Sequence, residues 1–218
     1  MEHPDPWPLR HLVLRTPRLT LRPDDDEGLL ELAAEAHRGV HPPEQMPFAY
    51  EWTDAPADEL GTNMIRYHWT TRGELRPDDW QLNFLVRLDG VVIGTQGMNA
   101  KRFAVVRECS TGSWIGMRFQ GQGIGTEMRI AVVTFAFDYL GAEQVRSAAW
   151  TDNAASLAIS EKLGYVEDGT IRAARRDEPG TEVRLLLTRE RFDKCRPDWT
   201  LRVGGFEGVR DLLGAARS

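Results

Sequence analysis

Gln120-Gly121-Gln122-Gly123-Ile124-Gly125-Thr126 precedes a long apolar stripe, and this junction decides the fold. Downstream, Ile124, Met128, Ala131, Val132, Phe135 and Tyr139 recur at helical spacing, and Ile130, Val133 and Phe137 widen the stripe. The spacing predicts a well-buried helix, closed by Gly141. Glycines before a helix start let the backbone take left-handed angles and let a ligand approach the main chain. The helix itself offers unpaired N–H groups and the positive end of its dipole, so the segment reads as an anion site, most naturally for phosphate. The alternative is a loop that merely turns the chain. A nucleotide-triphosphate loop is excluded, because Gln122 and Gly123 stand where its lysine and hydroxyl belong. A dinucleotide fingerprint lacks its third glycine at Thr126, although Asp152 could imitate the ribose-binding acid.

Upstream, Leu12 to Arg15 and Arg18 to Arg22 alternate around Thr16-Pro17, which predicts a proline-interrupted edge strand. Pro23 to Asp26 supplies caps for a helix through His37, ended by Gly39. His41 to Asp54 is a proline- and aromatic-rich loop of the kind that binds ligands. A second helix is expected over 57–72. Strands follow at Trp80 to Leu88 and Val91 to Asn99, joined by an Asp89-Gly90 turn, with a third over Glu108 to Phe119. Beyond the glycine turn, Val145 to Trp150 is a strand and Asp152 or Asn153 caps a helix ending before Gly164. Tyr165 to Ala173 and Glu182 to Leu187 are strands. An antiparallel meander followed by a βαβα unit is a mixed α/β fold. Residues 1–10 read as a disordered or extended start, 11–190 as the domain, and 191–218 as an extension packed on the domain or on a partner. In that extension, 199–203 suits a strand and 209–216 a short helix.

The 218 residues carry a formal charge of −6, which gives no electrostatic reason to bind a nucleic-acid backbone. Two distant cysteines, Cys109 and Cys195, suit a reducing cytoplasm and lack metal spacing. No segment reads as a signal peptide or membrane span.

Gln120-x-x-Gly123-x-Gly125 resembles the Gln/Arg-x-x-Gly-x-Gly/Ala signature of the GNAT superfamily of acyl-CoA N-acyltransferases. Asn153, Ser156, Lys162 and Gly164-Tyr165 resemble its second signature. Thr16-Pro17-Arg18-Leu19-Thr20-Leu21-Arg22-Pro23 is similar to the opening of the branch typified by ribosomal-protein N-terminal acetyltransferases, the RimJ/RimL type. The tryptophan-rich middle and the His41 to Trp52 loop are most similar to an actinobacterial-type subgroup that includes a succinyl-CoA-using member. The resemblance implies a mostly antiparallel sheet splayed around acetyl-CoA or another acyl-CoA, succinyl-CoA among them, with no metal. It places Ile115, Met117 and Phe119 on the splayed strand, and the pyrophosphate on Gln120, Gly121, Gln122, Gly123, Ile124, Gly125 and Thr126. Asn153 and Ser156 would meet the pantetheine arm.

The implied chemistry is direct attack of an amine on the thioester in a ternary complex. The tyrosine with which many relatives protonate the thiolate is replaced here by Ser160. Ser156 is then the candidate acid, or simply a hydroxyl at a helix start. Glu108 and His41 are candidate bases by segment alone, and His68 is the type of helix histidine that usually packs. Phe48 and Trp52 are candidates for the acceptor pocket, and Arg175 for an anionic acceptor or dicarboxylic acyl group. Arg175 also stands near where the ribosomal-type branch carries a glutamate, which weakens a ribosomal acceptor. Competing expectations are an inactive acyl-CoA sensor on the same fold and a nicotinamide-dependent oxidoreductase. Exposed edge strands favour a homodimer or higher homo-oligomer.

Overall fold

The computed structural model describes residues 3–215. Its nine strands among the described residues form one sheet, β1 (Val13–Arg15), β2 (Leu19–Pro23), β3 (Asp79–Leu88), β4 (Val91–Lys101), β5 (Glu108–Ile115), β6 (Gln144–Trp150), β7 (Val166–Arg175), β8 (Glu178–Thr188) and β9 (Arg202–Gly204). The spatial order is β7-β8-β6-β5-β4-β3-β2-β1-β9, antiparallel everywhere except between β5 and β6. Helices α1 (Asp26–His37) and α2 (Ala57–Glu74) cover one face. The helices α4 (Ile124–Thr134) and α5 (Ala154–Leu163) cover the other, after the single turn α3 (Phe103–Val106).

Alternation along β3 sorts the two cores. Phe84 and Val86 pack with α4, whereas Leu85 between them packs with α1 and α2. The β3–β4 hairpin turns at Asp89 and Gly90, with φ +50° and +85°, the left-handed pair that an Asp-Gly turn supplies. Asp25 caps α1, its carboxylate accepting from Gly28 N at 2.7 Å.

Several expectations are corrected. The proline at position 17 interrupts no edge strand. It sits in the turn between β1 and β2, and β9 pairs with β1 to form the actual edge. The third strand ends at Ile115 rather than Phe119, because Met117–Phe119 winds into a 3-10 turn. The helix after the glycines continues from α4 as a π-helical turn over Phe135–Leu140. β7 and β8 run to Arg175 and from Glu178, as Arg176 takes φ +52° to turn the hairpin.

Near the start, Pro8–His11 forms a 3-10 turn and buries Leu9, where a disordered or extended segment was expected. Of the 191–218 extension, the described residues 191–215 belong to the main core. There α6 (Arg189–Asp193) buries Phe192, and the segment after it buries Leu201, Phe206, Val209 and Leu213. Residues 209–214 form successive turns instead of a helix, and position 216 lies outside the described residues. No helix among the described residues is long and apolar enough to cross a membrane.

Candidate functional site

The parallel ladder between β5 and β6 joins only Glu108 with Gln144, Cys109 with Val145 and Ser110 with Arg146. Beyond that vertex β5 keeps β4 as its partner and β6 keeps β8, so the two strands fork. The splayed segment is therefore Thr111–Ile115, ahead of the Ile115–Phe119 stretch expected from sequence. At the vertex, side chains take over from the ladder. Thr111 Oγ1 donates to Arg146 O at 3.4 Å and Ser147 Oγ donates to Thr111 O at 3.5 Å.

At the open end of the fork the chain passes through the Met117–Phe119 turn into the glycine loop. Gly121 and Gly123 adopt φ +73° and +77°. Gly123 is the N-cap of α4 and brings no side-chain cap, so the first-turn N–H groups of Ile124, Gly125 and Thr126 have no partner within the helix. A Cβ on Gly121 would meet nothing within 4 Å. These are the features of an anion cradle open to a ligand. Gly125 has a different task, since a Cβ there would stand 3.1 Å from Ile159 Cδ1, and its absence lets α4 approach α5.

Two carboxylates brace the loop. Glu127, buried in the first turn of α4, accepts from Thr16 Oγ1 at 2.5 Å, Arg18 N at 3.1 Å and Arg18 Nε at 2.6 Å. Arg18 also donates to Gln122 O at 3.1 Å, and its Nη2 lies 3.6 Å from where a Gly123 Cβ would stand. The fully buried Glu35 of α1 holds Arg118 through contacts of 3.0 and 2.6 Å and Arg38 at 2.9 Å. This pairing raises the Arg118 pKa further. Gln120 Nε2 donates to Val40 O and Ile115 O, so its side chain fixes the loop to the exit of α1.

Toward α4 and α5, the fork is lined by polar side chains whose needs are unmet. Gln96, whose Nε2 donates to Gly112 O of β5, leaves Oε1 without a partner, and so do Arg129 Nε and the Tyr165 hydroxyl, all buried. Asn153 caps α5, with Oδ1 accepting from Ser156 N at 3.1 Å, and Ser156 O accepts from Ser160 Oγ at 3.0 Å. Ser156 thus sits in the first turn of α5, half-buried.

Toward α1 and α2, the mouth is aromatic. His41, Phe48, Trp52 and Trp114 form a chain with ring centroids 5.6, 5.3 and 5.2 Å apart. The 41–54 loop is tied across the mouth. Trp150 Nε1 donates to Phe48 O at 3.0 Å, and Arg175 Nε donates to Met46 O at 2.7 Å. Arg175 lies over the Trp150 ring and takes both Asp152 oxygens at 2.8 Å. Arg176 grips Asp54 through two bonds and donates to Pro43 O. Its guanidinium holds the Asp54 carboxyl below the usual range.

The candidate bases are engaged elsewhere. His41 Nδ1 donates to Pro42 O at 2.9 Å, and its Nε2 lies 2.7 Å from Thr53 Oγ1. Glu108 stands at the closed end of the fork, paired with Arg146 at 2.8 Å. His68 is buried on α2 against Asp24 at 2.7 Å. The residues that sequence reasoning missed are Arg18, Glu35, Glu127, Arg129 and Gln96. The glutamates and arginines among them read as ordinary helix or strand charges until the partners are seen.

A family model described as an acetyltransferase (GNAT) domain matches residues 18–166. A 68-residue stretch is 35% identical to the "Putative ribosomal N-acetyltransferase YdaF" of Bacillus subtilis (strain 168), over 31% of this chain and 37% of that protein. The match thus spans little more than a third of the relative's length. The fold is similar to that of Mycobacterium smegmatis RimJ in complex with CoA-disulfide, at TM-score 0.68 and 16% identity over 95% of this chain and 96% of that one. It is also similar to RimL, a ribosomal L7/L12 alpha-N-protein acetyltransferase in complex with coenzyme A, at TM-score 0.63 and 16% identity over 79% and 95%.

Proposed function

The chain belongs to the GNAT acetyltransferase family, and from that premise we propose an acyl-CoA N-acyltransferase whose donor lies along the β5–β6 fork and whose amine enters over the aromatic mouth. The observation that carries this reading is the convergence of an uncapped glycine cradle and a strand fork at one place. Amides of Gly121 to Thr126 would hold the pyrophosphate, with Arg18 adding positive charge beside Gly123. Thr111 to Ile115 would pair with the amides of the pantetheine arm, and Gln96 Oε1 would gain a donor it now lacks. These features fit the group: the cradle has room that a side chain would fill, and buried polar atoms line the fork.

The chemistry follows from placement. A neutral amine attacks the thioester carbonyl in a ternary complex, where orientation supplies much of the acceleration. His41 and Glu108 are already committed to other partners, so the amine proton leaves to water at the mouth. Ser156 would orient the arm from the first turn of α5. Phe48, Trp52 and Trp114 would form the wall along which a cationic acceptor approaches before deprotonation. Arg175 and Arg176 hold that wall in place, and a succinyl donor would have to compete with Asp152 for Arg175.

Two free cysteines support a reducing compartment such as the cytoplasm. The long uncovered edge of β7 supports a symmetric pairing of two chains.

Calorimetric titration with CoA, acetyl-CoA, succinyl-CoA and NAD tests the donor site. Binding of CoA thioesters without NAD is expected, and absence of CoA binding overturns the reading. Thiol release on adding primary amines separates an enzyme from an inactive acyl-CoA sensor.

A further inference from the structure

Arg129 is a buried guanidinium with no carboxylate beside it among the described residues. Its side chain leaves α4 toward α5, where Nη1 donates to Ser160 Oγ at 2.9 Å. Ser160 is itself buried, and its hydroxyl donates a hydrogen bond to Ser156 O. Arg129 Nε finds no acceptor. The neighbouring Tyr165 hydroxyl is buried beside Thr111 and makes no hydrogen bond of ordinary geometry. An uncompensated buried cation costs several kcal/mol in the resting protein, so some counter-charge that the resting protein lacks is implied.

The surroundings do not provide one. Burial pushes the Tyr165 hydroxyl up to about 12, and burial with the nearby Glu108 carboxylate pushes the Cys109 thiol up to about 12, so both stay neutral. Glu108 is itself neutralised by Arg146. Tyr165, which neighbours both Arg129 and Thr111, places the group near the vertex of the fork, where the strands hydrogen-bond again and an extended ligand arm would stop. An arm anchored at the glycine loop and laid along Thr111–Ile115 would cover roughly 16 Å at strand spacing, and would bring its reactive atom to that end of the fork.

We infer that Arg129, positioned by Ser160, stabilises the thiolate that CoA becomes as the acyl group leaves. In that step the amine lone pair forms the C–N bond, and the C–S bond breaks with its electron pair going to sulfur. The proton shed by nitrogen goes to water at the mouth, and the sulfur stays anionic beside the guanidinium until it is protonated on release. Fixed positive charge aimed at a developing anion needs no reorganisation during the reaction. The serine at position 160, where many relatives carry a tyrosine acid, then serves to hold the cation in place.

This inference rests on the CoA reading, and the test keeps the two apart. The thiol of CoA bound to the protein is titrated by thiolate ultraviolet absorbance. In the wild-type protein it should ionise at least one unit below the ~8.5 of a free thiol. Arg129→Met should return it to that value while CoA affinity changes less than about three-fold, since the phosphate cradle is untouched. Arg129→Lys should retain part of the shift. CoA that binds with an unshifted thiol in the wild-type protein overturns the inference alone, whatever the variants do. An arginine that only locks α5 to α4 would leave the thiol unmoved, and a protein that binds no CoA removes both readings.

Discussion

The two sides of the fork are built from different materials. On the α4 side, the cradle proposed for phosphate is made of backbone, with two left-handed glycines and uncapped amides within seven consecutive residues. On the α1 and α2 side, the mouth is made of side chains that reach across the sequence. Trp150 meets the Phe48 carbonyl, Arg175 meets the Met46 carbonyl, and Arg176 meets Asp54. A backbone site is intolerant of substitution, although Arg18 and Glu35 brace this one from far along the chain. A side-chain clasp is tolerant, adjustable and able to open. A phosphate-bearing donor and an acceptor of particular shape, as proposed above, call for these two kinds of construction.

The contrast is sharpest at Gly123. Gly123→Val forces a branched residue to φ +77° and fills the cradle. CoA affinity should fall on the order of 100-fold, the loss of two charge-assisted hydrogen bonds at ~1.5 kcal/mol each. Stability should fall by about 1–2 kcal/mol from the left-handed backbone. Calorimetry and thermal melting check the two separately, and wild-type CoA affinity would refute the cradle. Arg18→Ala should weaken CoA about ten-fold, one charge-assisted contact. Its effect should shrink with added salt, in contrast to that of Gly123→Val.

Mutations on the other side should leave CoA affinity unchanged. Arg175→Ala frees Met46 and Asp152 and should raise the acceptor KM several-fold, on the order of 1 kcal/mol for a partly exposed pair. A change in CoA binding instead would mean that the clasp and cradle are coupled. The smallest effect is acid release of the loop. Asp54 has a folded pKa below its ordinary 3.8 because of its hydrogen bonds to Arg176. Its contribution is present above that ordinary value and is lost as pH falls through the lower folded one. Trp52 fluorescence should therefore show a strongly acidic transition that is absent in Asp54→Asn.

The same division explains what sequence reading reached. The glycine loop, the buried helix after it and the Asp89-Gly90 hairpin are local patterns, and their positions agree with the structure to within a residue or two. The mouth was legible only as an aromatic loop of unusual length. Nothing near Arg175 announces Asp152 or Met46, because the partners stand 23 and 129 residues away. Arg129 was invisible for a related reason. In the sequence it is one of two charges, with Glu127, on a largely apolar helix, and only the packing against α5 and Tyr165 reveals that it lacks a counter-ion. Proline 17 misled because a proline in a hairpin turn and one in an edge strand look alike without the partner strand.

The pairing of β9 with β1 has a consequence for how the protein comes into being. Val13 finds Gly204 across nearly the whole chain, so the first strand made is among the last to be covered. During synthesis β1 offers an open edge, and the floor of the core awaits Leu201, Phe206, Val209 and Leu213. Most of the sheet, with fork and cradle, can assemble before that seal arrives. Until β9 pairs, the β1 edge stays unprotected, and a chaperone or a second nascent chain can compete with β9 for it.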